Sequence, residues 1–177
     1  MKTAKIKTAI LVLTLLVIGQ GQTAENDKQI PVNEDSFKCL ADMTKAEGTS
    51  YFVDNLLGNI AGTLAVASAS TGGKFPPGSV ISLVPNEAMV KHQEGWNPAS
   101  NDWEFFLLEV SESGTSIASR GGVEVVNRAG SCMGCHALAT AQWDLVCSTD
   151  HGCAPLPFTR EQIMMVQSRD PRCTKEN

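Results

Sequence analysis

The sequence predicts one mainly β domain, an α+β arrangement in which helices come first and antiparallel strands fill the middle of the chain. Apolar residues at helical spacing lie before residue 70. Short β-branched and aromatic runs bounded by turn residues lie between residues 74 and 126. With 177 residues, the chain is long enough for one hydrophobic core and short for two.

Two helices are predicted ahead of the strands. Asp35 or Ser36 can cap a helix that runs to about residue 45, with apolar residues on one face. Residues 51–67 carry apolar side chains at helical spacing, although Gly58 and Gly62 interrupt them. Both segments are therefore expected to be helical.

The predicted strands follow a turn at Phe75-Pro76-Pro77-Gly78. Residues 79–84 and 89–92 are the first two, and residues 103–110 form the most apolar strand of the chain. A turn is expected at residues 111–114 and a last strand at residues 123–126. We therefore expect the middle of the domain to be antiparallel β.

The C-terminal part, from about residue 147, is expected to be a cysteine-containing extension. Thr159 and Gln162 form a capping box, which predicts a short helix to about Ser168. Asp170-Pro171 is expected to end that helix.

The N-terminus has the pattern of a signal peptide. Three lysines precede an apolar run at residues 9–18, and small and polar residues follow to Ala24. The run is about half of the ~20 residues that a membrane-spanning helix needs. We therefore expect residues 1–24 to be removed, after Gly21 or Ala24, and residues 25–177 to form one periplasmic domain that is not integral to the membrane.

Removal of this segment takes away three of the 14 basic residues and none of the 19 acidic ones, which leaves a formal charge of −8. An acidic surface argues against nucleic acid and anionic membranes as partners. It would suit a basic redox partner protein, although solubility alone also explains it.

The chain has six cysteines, and four of them suit disulfides in an exported protein. Four cysteines allow three pairings. We favour Cys147 with Cys153, a local loop, and Cys39 with Cys173, which would join the N-terminal region to the tail. Free thiols are the alternative.

The other two cysteines lie in Cys132-Met133-Gly134-Cys135-His136. Thiols three positions apart can add to the two vinyl groups of one haem, and the next histidine can then coordinate the iron. The motif predicts one covalent haem c, held by Cys132 and Cys135, with His136 as an axial ligand.

Three other interpretations of the motif compete with haem attachment. A thioredoxin-type redox pair needs a βαβ setting that this chain lacks. A strained disulfide across two residues is rare. A zinc site would need further ligands, for which Cys147, His151 and Cys153 are the candidates.

The position of the motif bears on the type of haem protein. Only 41 residues follow His136, whereas small electron carriers have the motif near the N-terminus and a methionine as sixth ligand. Met164-Met165 is the one late methionine pair, and its spacing favours core packing. His92 and His151 are further candidates for a sixth ligand.

Several blocks in the middle of the chain occur in a familiar order. They are Phe75-Pro76-Pro77-Gly78-Ser79-Val80, Met89-Val90-Lys91-His92, Gly95-Trp96-Asn97-Pro98, Asp102-Trp103-Glu104-Phe105-Phe106 and, after the haem motif, Asp144-Leu145-Val146. This order resembles the cytochrome P-460 and cytochrome c′-beta family over roughly residues 62–146.

The resemblance implies a β-rich fold and a haem with an open distal side. Members oxidise hydroxylamine or bind gases such as nitric oxide, and they are often homodimers. The oxidising members carry a lysine cross-link to the haem, at a position where this chain has Leu83; Lys91 is the nearest lysine in the block. Without the cross-link, gas binding or electron transfer is the better expectation.

The distal pocket can be predicted only in outline. Phe105 and Phe106 lie on opposite faces of one strand, so one can line an apolar pocket while the other joins the core. Trp103 and Lys91 are further pocket candidates, and Trp96 and Trp143 are candidates to pack on the porphyrin. Core packing of these side chains is the alternative in each case.

Overall fold

The computed structural model describes residues 26–146, 156 and 158–173. Its centre is a six-stranded antiparallel sheet whose strand order follows the chain. The strands are β1 (Thr44–Lys45), β2 (Phe52–Asn55), β3 (Ser79–Val84), β4 (Glu87–Lys91), β5 (Trp103–Ser111) and β6 (Gly114–Gly121). A short hairpin of β7 (Val126–Asn127) and β8 (Gly130–Ser131) follows. The prediction of a mainly antiparallel β domain is confirmed.

The helices of the described residues are short. They are α1 (Ile60–Ala67), α2 (Cys132–His136) and α3 (Arg160–Gln167), with single 3-10 turns at Asn26–Lys28, Glu34–Ser36, Leu40–Asp42, Pro98–Ser100 and Ala141–Trp143. The predicted helix after Thr159 is confirmed as α3, since Thr159 and Gln162 form the expected reciprocal capping box. None of the helices in these ranges is long and apolar enough to cross a membrane.

The sheet buries both of its faces. On one, here called the motif face, Ile81, Met89 and Phe105 pack with half-buried Cys132 and Met133 of α2. On the other, here called the N-terminal face, strand residues pack beneath the segment that precedes β1; they include Val80, Val90, Phe106 and Leu108, with Val32 and Phe37 above them. Because side chains alternate along a strand, Phe105 and Phe106 belong to opposite faces.

The helix predicted from Asp35 or Ser36 to residue 45 is wrong. The segment forms two 3-10 turns and β1 instead. Tertiary contacts explain the difference: the Phe37 ring packs 4.9 Å from that of Phe106, and Cys39 is joined to Cys173. The Leu40 amide donates to Asp170 rather than to a helical carbonyl (3.0 Å). These contacts override a weak local preference for helix.

The helix predicted over residues 51–67 is correct only in its second half. Residues Phe52–Asn55 pair with β3, and Gly58 takes a left-handed φ of 81° that ends the extended segment. Asn59 then caps α1, with its side-chain oxygen accepting from Gly62 N (3.1 Å).

Three of the predicted strands are confirmed, as β3, β4 and β5. The predicted turn at residues 111–114 is the β5–β6 connection, but β6 itself was missed because its sequence, GTSIASRG, holds a single large apolar residue, Ile117. The strand predicted over 123–126 is wrong except at Val126, which belongs to β7; Val125 is buried and Val123 is exposed.

One predicted disulfide is confirmed, since Cys39 is bonded to Cys173 across 134 residues. The predicted Cys147–Cys153 pairing lies outside the described residues, as does the predicted signal peptide at residues 1–24. The disulfide joins the segment that covers the N-terminal face to the end of the chain after α3.

Candidate haem site

The Cys-x-x-Cys-His motif is a single helical turn that follows the β7–β8 hairpin. Ser131 caps α2, with its hydroxyl accepting from Gly134 N (3.0 Å), and Cys132 N donates to Val125 O (3.0 Å). Residues three apart on a helix lie on one side of it. Cys132 and Cys135 are therefore neighbours, and both are thiols; Cys132 is half-buried and Cys135 is exposed.

His136 ends α2 and is held by a residue from the following turn. Its Nδ1 lies 2.6 Å from the backbone oxygen of Leu145, which can only accept, so Nδ1 carries the proton. Burial lowers the pKa of His136, and the bond to Leu145 offsets only part of that effect. The imidazole is therefore neutral, with the lone pair on Nε2. This is the form in which histidine binds a metal.

The environment of Cys132 differs from that of a redox cysteine. Burial raises the pKa of its thiol, and the negative charge of Glu87 raises it further. Reactive Cys-x-x-Cys pairs have a lowered pKa instead. Together with the position of α2 after a two-residue strand of an antiparallel hairpin, this argues against a thioredoxin-type site.

These residues fit a covalent haem. Two thiols lie one helical turn apart, a neutral imidazole follows them, and half-buried apolar side chains of the motif face lie nearby: Leu83, Leu107, Met133 and Leu145. A haem bound here would supply an iron for ligand binding or electron transfer. The chain would supply two sulfur attachment points and the Nε2 ligand.

The structure separates the two phenylalanines of the predicted pocket. The ring of Phe105 lies on the motif face with its centroid 5.0 Å from that of His136. Phe106 lies on the N-terminal face, against Phe37 and beneath the guanidinium of Arg120. Phe105 is therefore the one that belongs to the candidate site.

Lys91 and Trp103 are paired residues on β4 and β5, and both are fully buried. Lys91 Nζ donates to Asp144 Oδ1 (2.7 Å) and to Asn101 O (2.6 Å), and it lies 5.0 Å from the ring of Trp103. The indole of Trp103 donates to Asp144 O (2.7 Å). Both side chains therefore hold Asp144, the residue that precedes Leu145 in the turn.

His92 has both ring nitrogens engaged. Nδ1 accepts from Ile30 N (2.8 Å), and Nε2 donates to Glu104 Oε2 (2.7 Å). The side chain is completely buried, and the ring of Trp96 lies tilted against it with centroids 4.2 Å apart. His92 is therefore occupied as a structural residue and not available as a sixth iron ligand, and Trp96 lies with it.

The other candidate ligands are two methionines of α3 and three residues of the C-terminal extension. Met164 and Met165 are exposed on α3, contrary to the core packing expected of them. His151, Cys147 and Cys153, the candidates for a sixth ligand or a zinc site, lie outside the described residues. Cys39 and Cys173 lie close to Asp170, but their sulfurs form the disulfide.

The part of the site that the sequence did not assign is the turn at Asp144–Leu145. In the sequence, the block Asp144-Leu145-Val146 is only part of a family pattern, and neither its bond to His136 nor its partner Asn101 has a sequence signal. A cavity of about 260 Å³, lined in part by Lys91, Asp102 and Phe75, adjoins this region.

No family model, curated protein or solved structure matches this chain. The resemblance to the cytochrome P-460 group therefore stays a prediction, and the functional argument depends on the geometry of the chain's own residues.

Proposed function

We propose that the protein is an exported mono-haem c-type cytochrome with an open distal iron site, which binds nitric oxide or performs redox chemistry on small nitrogen compounds. The observation that carries the proposal is the bond between His136 Nδ1 and Leu145 O. It orients a neutral imidazole with Nε2 available, one residue after a pair of thiols.

The attachment chemistry suits these thiols. Each thiol adds across one vinyl group, with sulfur bonding to one carbon and hydrogen to the other, so no oxidant is consumed. The half-buried Cys132 and the exposed Cys135 lie on the same side of α2. The chain would thus offer one attachment sulfur that is half-buried and one that is exposed.

An open distal side is supported by the residues that are already engaged. His92 is held by Ile30 and Glu104, and the Lys91 amine is held by Asp144 and Asn101. The motif face near His136 presents Phe105 and other apolar side chains. Because Phe105 lies beside His136, these side chains would line the haem on the side of that ligand.

Hydroxylamine oxidation is the less favoured activity. The position at which the oxidising relatives carry their cross-linking lysine is Leu83, a half-buried member of the motif face. Lys91 is the nearest lysine in the block, and it is fully buried in its own ion pair. This chain therefore has no lysine at that position, and the nearest lysine of the block, Lys91, is bound to Asp144.

Electron transfer through a six-coordinate haem is the second candidate function. It is favoured by the exposure of Cys135 and of Leu138 just after the motif, which would leave a porphyrin edge accessible to a redox partner protein. Periplasmic location, a redox partner and a homodimer remain parts of the proposal. The Cys39–Cys173 disulfide supports an oxidising compartment.

Haem content tests the main proposal. The full chain, expressed in a bacterium with haem-attachment machinery, should give a c-type pyridine haemochrome, and Cys132→Ala/Cys135→Ala should give none. The matched control, Cys39→Ala/Cys173→Ala, also loses two cysteines and should keep the haem. Wild-type protein without haem under these conditions contradicts the proposal.

The ferrous absorption spectrum separates the two candidate functions. High-spin haem that binds nitric oxide or carbon monoxide supports the open site. Low-spin haem that is inert to both supports the electron carrier. A strongly red-shifted ferrous Soret band would instead indicate a lysine cross-link.

A further inference from the structure

The backbone oxygen that holds His136 belongs to an unusual turn. After the 3-10 turn Ala141–Trp143, Asp144 and Leu145 both take left-handed conformations, with φ of 50° and 62°. For a residue other than glycine this conformation is unfavourable, because the Cβ atom lies too close to the following carbonyl oxygen. Two in succession persist only if the surrounding structure holds them.

The Asp144 carboxylate supplies much of that hold. Its Oδ2 accepts from Phe75 N (2.8 Å), and its Oδ1 accepts from Lys91 Nζ (2.7 Å) and from the Asn101 side-chain amide. The side chain is 2% exposed. One buried carboxylate therefore joins three separate segments of the chain.

The same turn is held through its backbone. Trp103 Nε1 donates to Asp144 O (2.7 Å). Lys91 and Trp103 are direct partners in the β4–β5 register, so both donors start from the rigid centre of the sheet. Burial lowers the pKa of Lys91, and the hydrogen bond and charge of Asp144 offset part of that effect.

We propose that Asp144, fixed by Lys91 and Trp103, is a positioning residue for His136: it holds the Leu145 carbonyl where that oxygen accepts the proton of Nδ1. The expected effect on iron rests on the proposed function. The hydrogen bond between His136 and Leu145 does not, because it is present in the chain without haem. In this role the Lys91 amine is bonded to Asp144 and Asn101, so it is not free to form a cross-link to haem.

The expected effect follows from the chemistry of imidazole. A short bond from Nδ1–H to a carbonyl makes Nε2 a stronger donor and fixes the tautomer. A stronger axial donor favours ferric over ferrous iron. Loosening the turn is therefore expected to raise the reduction potential and to weaken the bond between iron and His136.

The test is Asp144→Asn in the full chain. The variant amide would place an N–H against either the Lys91 ammonium or the Phe75 amide, so one of the two contacts is lost. Trp103→Phe, which removes the indole donor and keeps an aromatic ring, is the second variant if the first does not fold. Asp170→Asn is the matched control, since Asp170 is also buried and also held by a cation, Arg172, and a backbone amide.

Two readouts keep this inference distinct from the proposed function. In the haem protein, Asp144→Asn should raise the reduction potential and lower the iron–histidine stretching frequency of the ferrous form, whereas Asp170→Asn should only lower stability. In protein without haem, nitrogen NMR of His136 should show a single Nδ1–H tautomer in the wild type and a mixture in Asp144→Asn.

Absence of haem from the wild type would overturn the proposed function alone, because the tautomer measurement still tests the inference. An Asp144→Asn variant with the wild-type tautomer, or with unchanged potential and stretching frequency in the haem protein, would overturn the inference. If Asp170→Asn shifts these values as much as Asp144→Asn does, the effect is general destabilisation and the inference is also overturned.

Discussion

At the scale of single residues, His136 can be separated from the two cysteines. If it is the proximal ligand, His136→Ala leaves thioether formation at Cys132 and Cys135 intact but changes the absorption and electron paramagnetic resonance spectra of the iron. His92→Gln is the matched histidine control and should keep the iron spectrum, since His92 is bonded to Ile30 and Glu104. An unchanged spectrum in His136→Ala would show that another residue is the ligand.

Lys91 gives a second prediction at this scale. Lys91→Met removes one partner of a buried ion pair and leaves Asp144 charged in the core, which should cost about 3–5 kcal/mol of unfolding free energy. Lys38→Met breaks an ion pair whose lysine is 52% exposed, and should cost at most about 1 kcal/mol. Urea titrations measure both.

The role of Lys91 is tested by comparing the loss of unfolding free energy in Lys91→Met with that in Lys38→Met. If Lys91→Met costs no more than Lys38→Met, Lys91 is not the buried anchor described here. Adding Asp144→Asn to Lys91→Met should recover part of the loss, because the unpaired charge is then removed.

Residue chemistry could be predicted from the sequence only where it is local. The spacing within Cys132-Met133-Gly134-Cys135-His136 is sufficient to suggest a haem site, since all its members lie on one helical turn. The partners of Lys91 and His92 could not be predicted, because Asp144 and Glu104 are brought to them by sheet register and by a turn. A lysine on a strand is ordinarily solvated.

At the scale of secondary structure, strands rich in large apolar residues were predictable and the rest were not. β3, β4 and β5 have continuous apolar runs because both faces of the sheet are covered. β6 was missed because its sequence is mostly small and polar and holds a single large apolar residue, Ile117. The first predicted helix failed because long-range contacts of Phe37, Cys39 and Leu40 outweigh its local sequence.

The Cys39–Cys173 disulfide gives a prediction for how the terminal segments are held. Because it closes a loop of 134 residues, Cys39→Ser/Cys173→Ser should lose roughly 2–5 kcal/mol of unfolding free energy. Thermal unfolding measures the loss. Cys147→Ser/Cys153→Ser, whose bond would close only a short loop, should lose less; the opposite ranking contradicts this account.

At the scale of the whole molecule, a buried polar network ties the N-terminal segment to the sheet. Glu104 accepts from His92 and from Arg120, while His92 accepts from Ile30 N and Arg120 donates to Val32 O (3.0 Å). Burial alone would raise the pKa of Glu104, but its hydrogen bonds to His92 and Arg120 and the charge of Arg120 hold that pKa below its usual value. The folded state therefore binds a proton at Glu104 less readily than the unfolded chain does.

This shift sets the expected dependence of stability on pH. The stabilisation that Glu104 contributes is fully present above the pKa of a carboxyl group in the unfolded chain, about 4.3. It is lost as the pH falls through the lower pKa of the folded state. The pKa of Asp170 is also lowered, because its hydrogen bonds to Arg172 and to the Leu40 amide outweigh the effect of burial. Urea midpoints should therefore fall steeply below about pH 4.5.

Glu104→Gln isolates the contribution of the network. The variant should be less stable than the wild type at neutral pH, and its stability should fall less steeply on acidification, because one of the shifted carboxyls is gone. Glu34→Gln, on an exposed 3-10 turn, is the control and should follow the wild-type profile. An acid profile of Glu104→Gln as steep as that of the wild type would contradict this role.

The most direct test of the central claim is peptide mapping by mass spectrometry of the exported chain, denatured after maturation in a host that attaches haem c. The account predicts that the peptide containing Cys132 and Cys135 carries the mass of one haem, and that this mass survives acid extraction of non-covalent haem. The unmodified peptide, recovered from a host whose own c-type cytochromes are fully loaded, would contradict it.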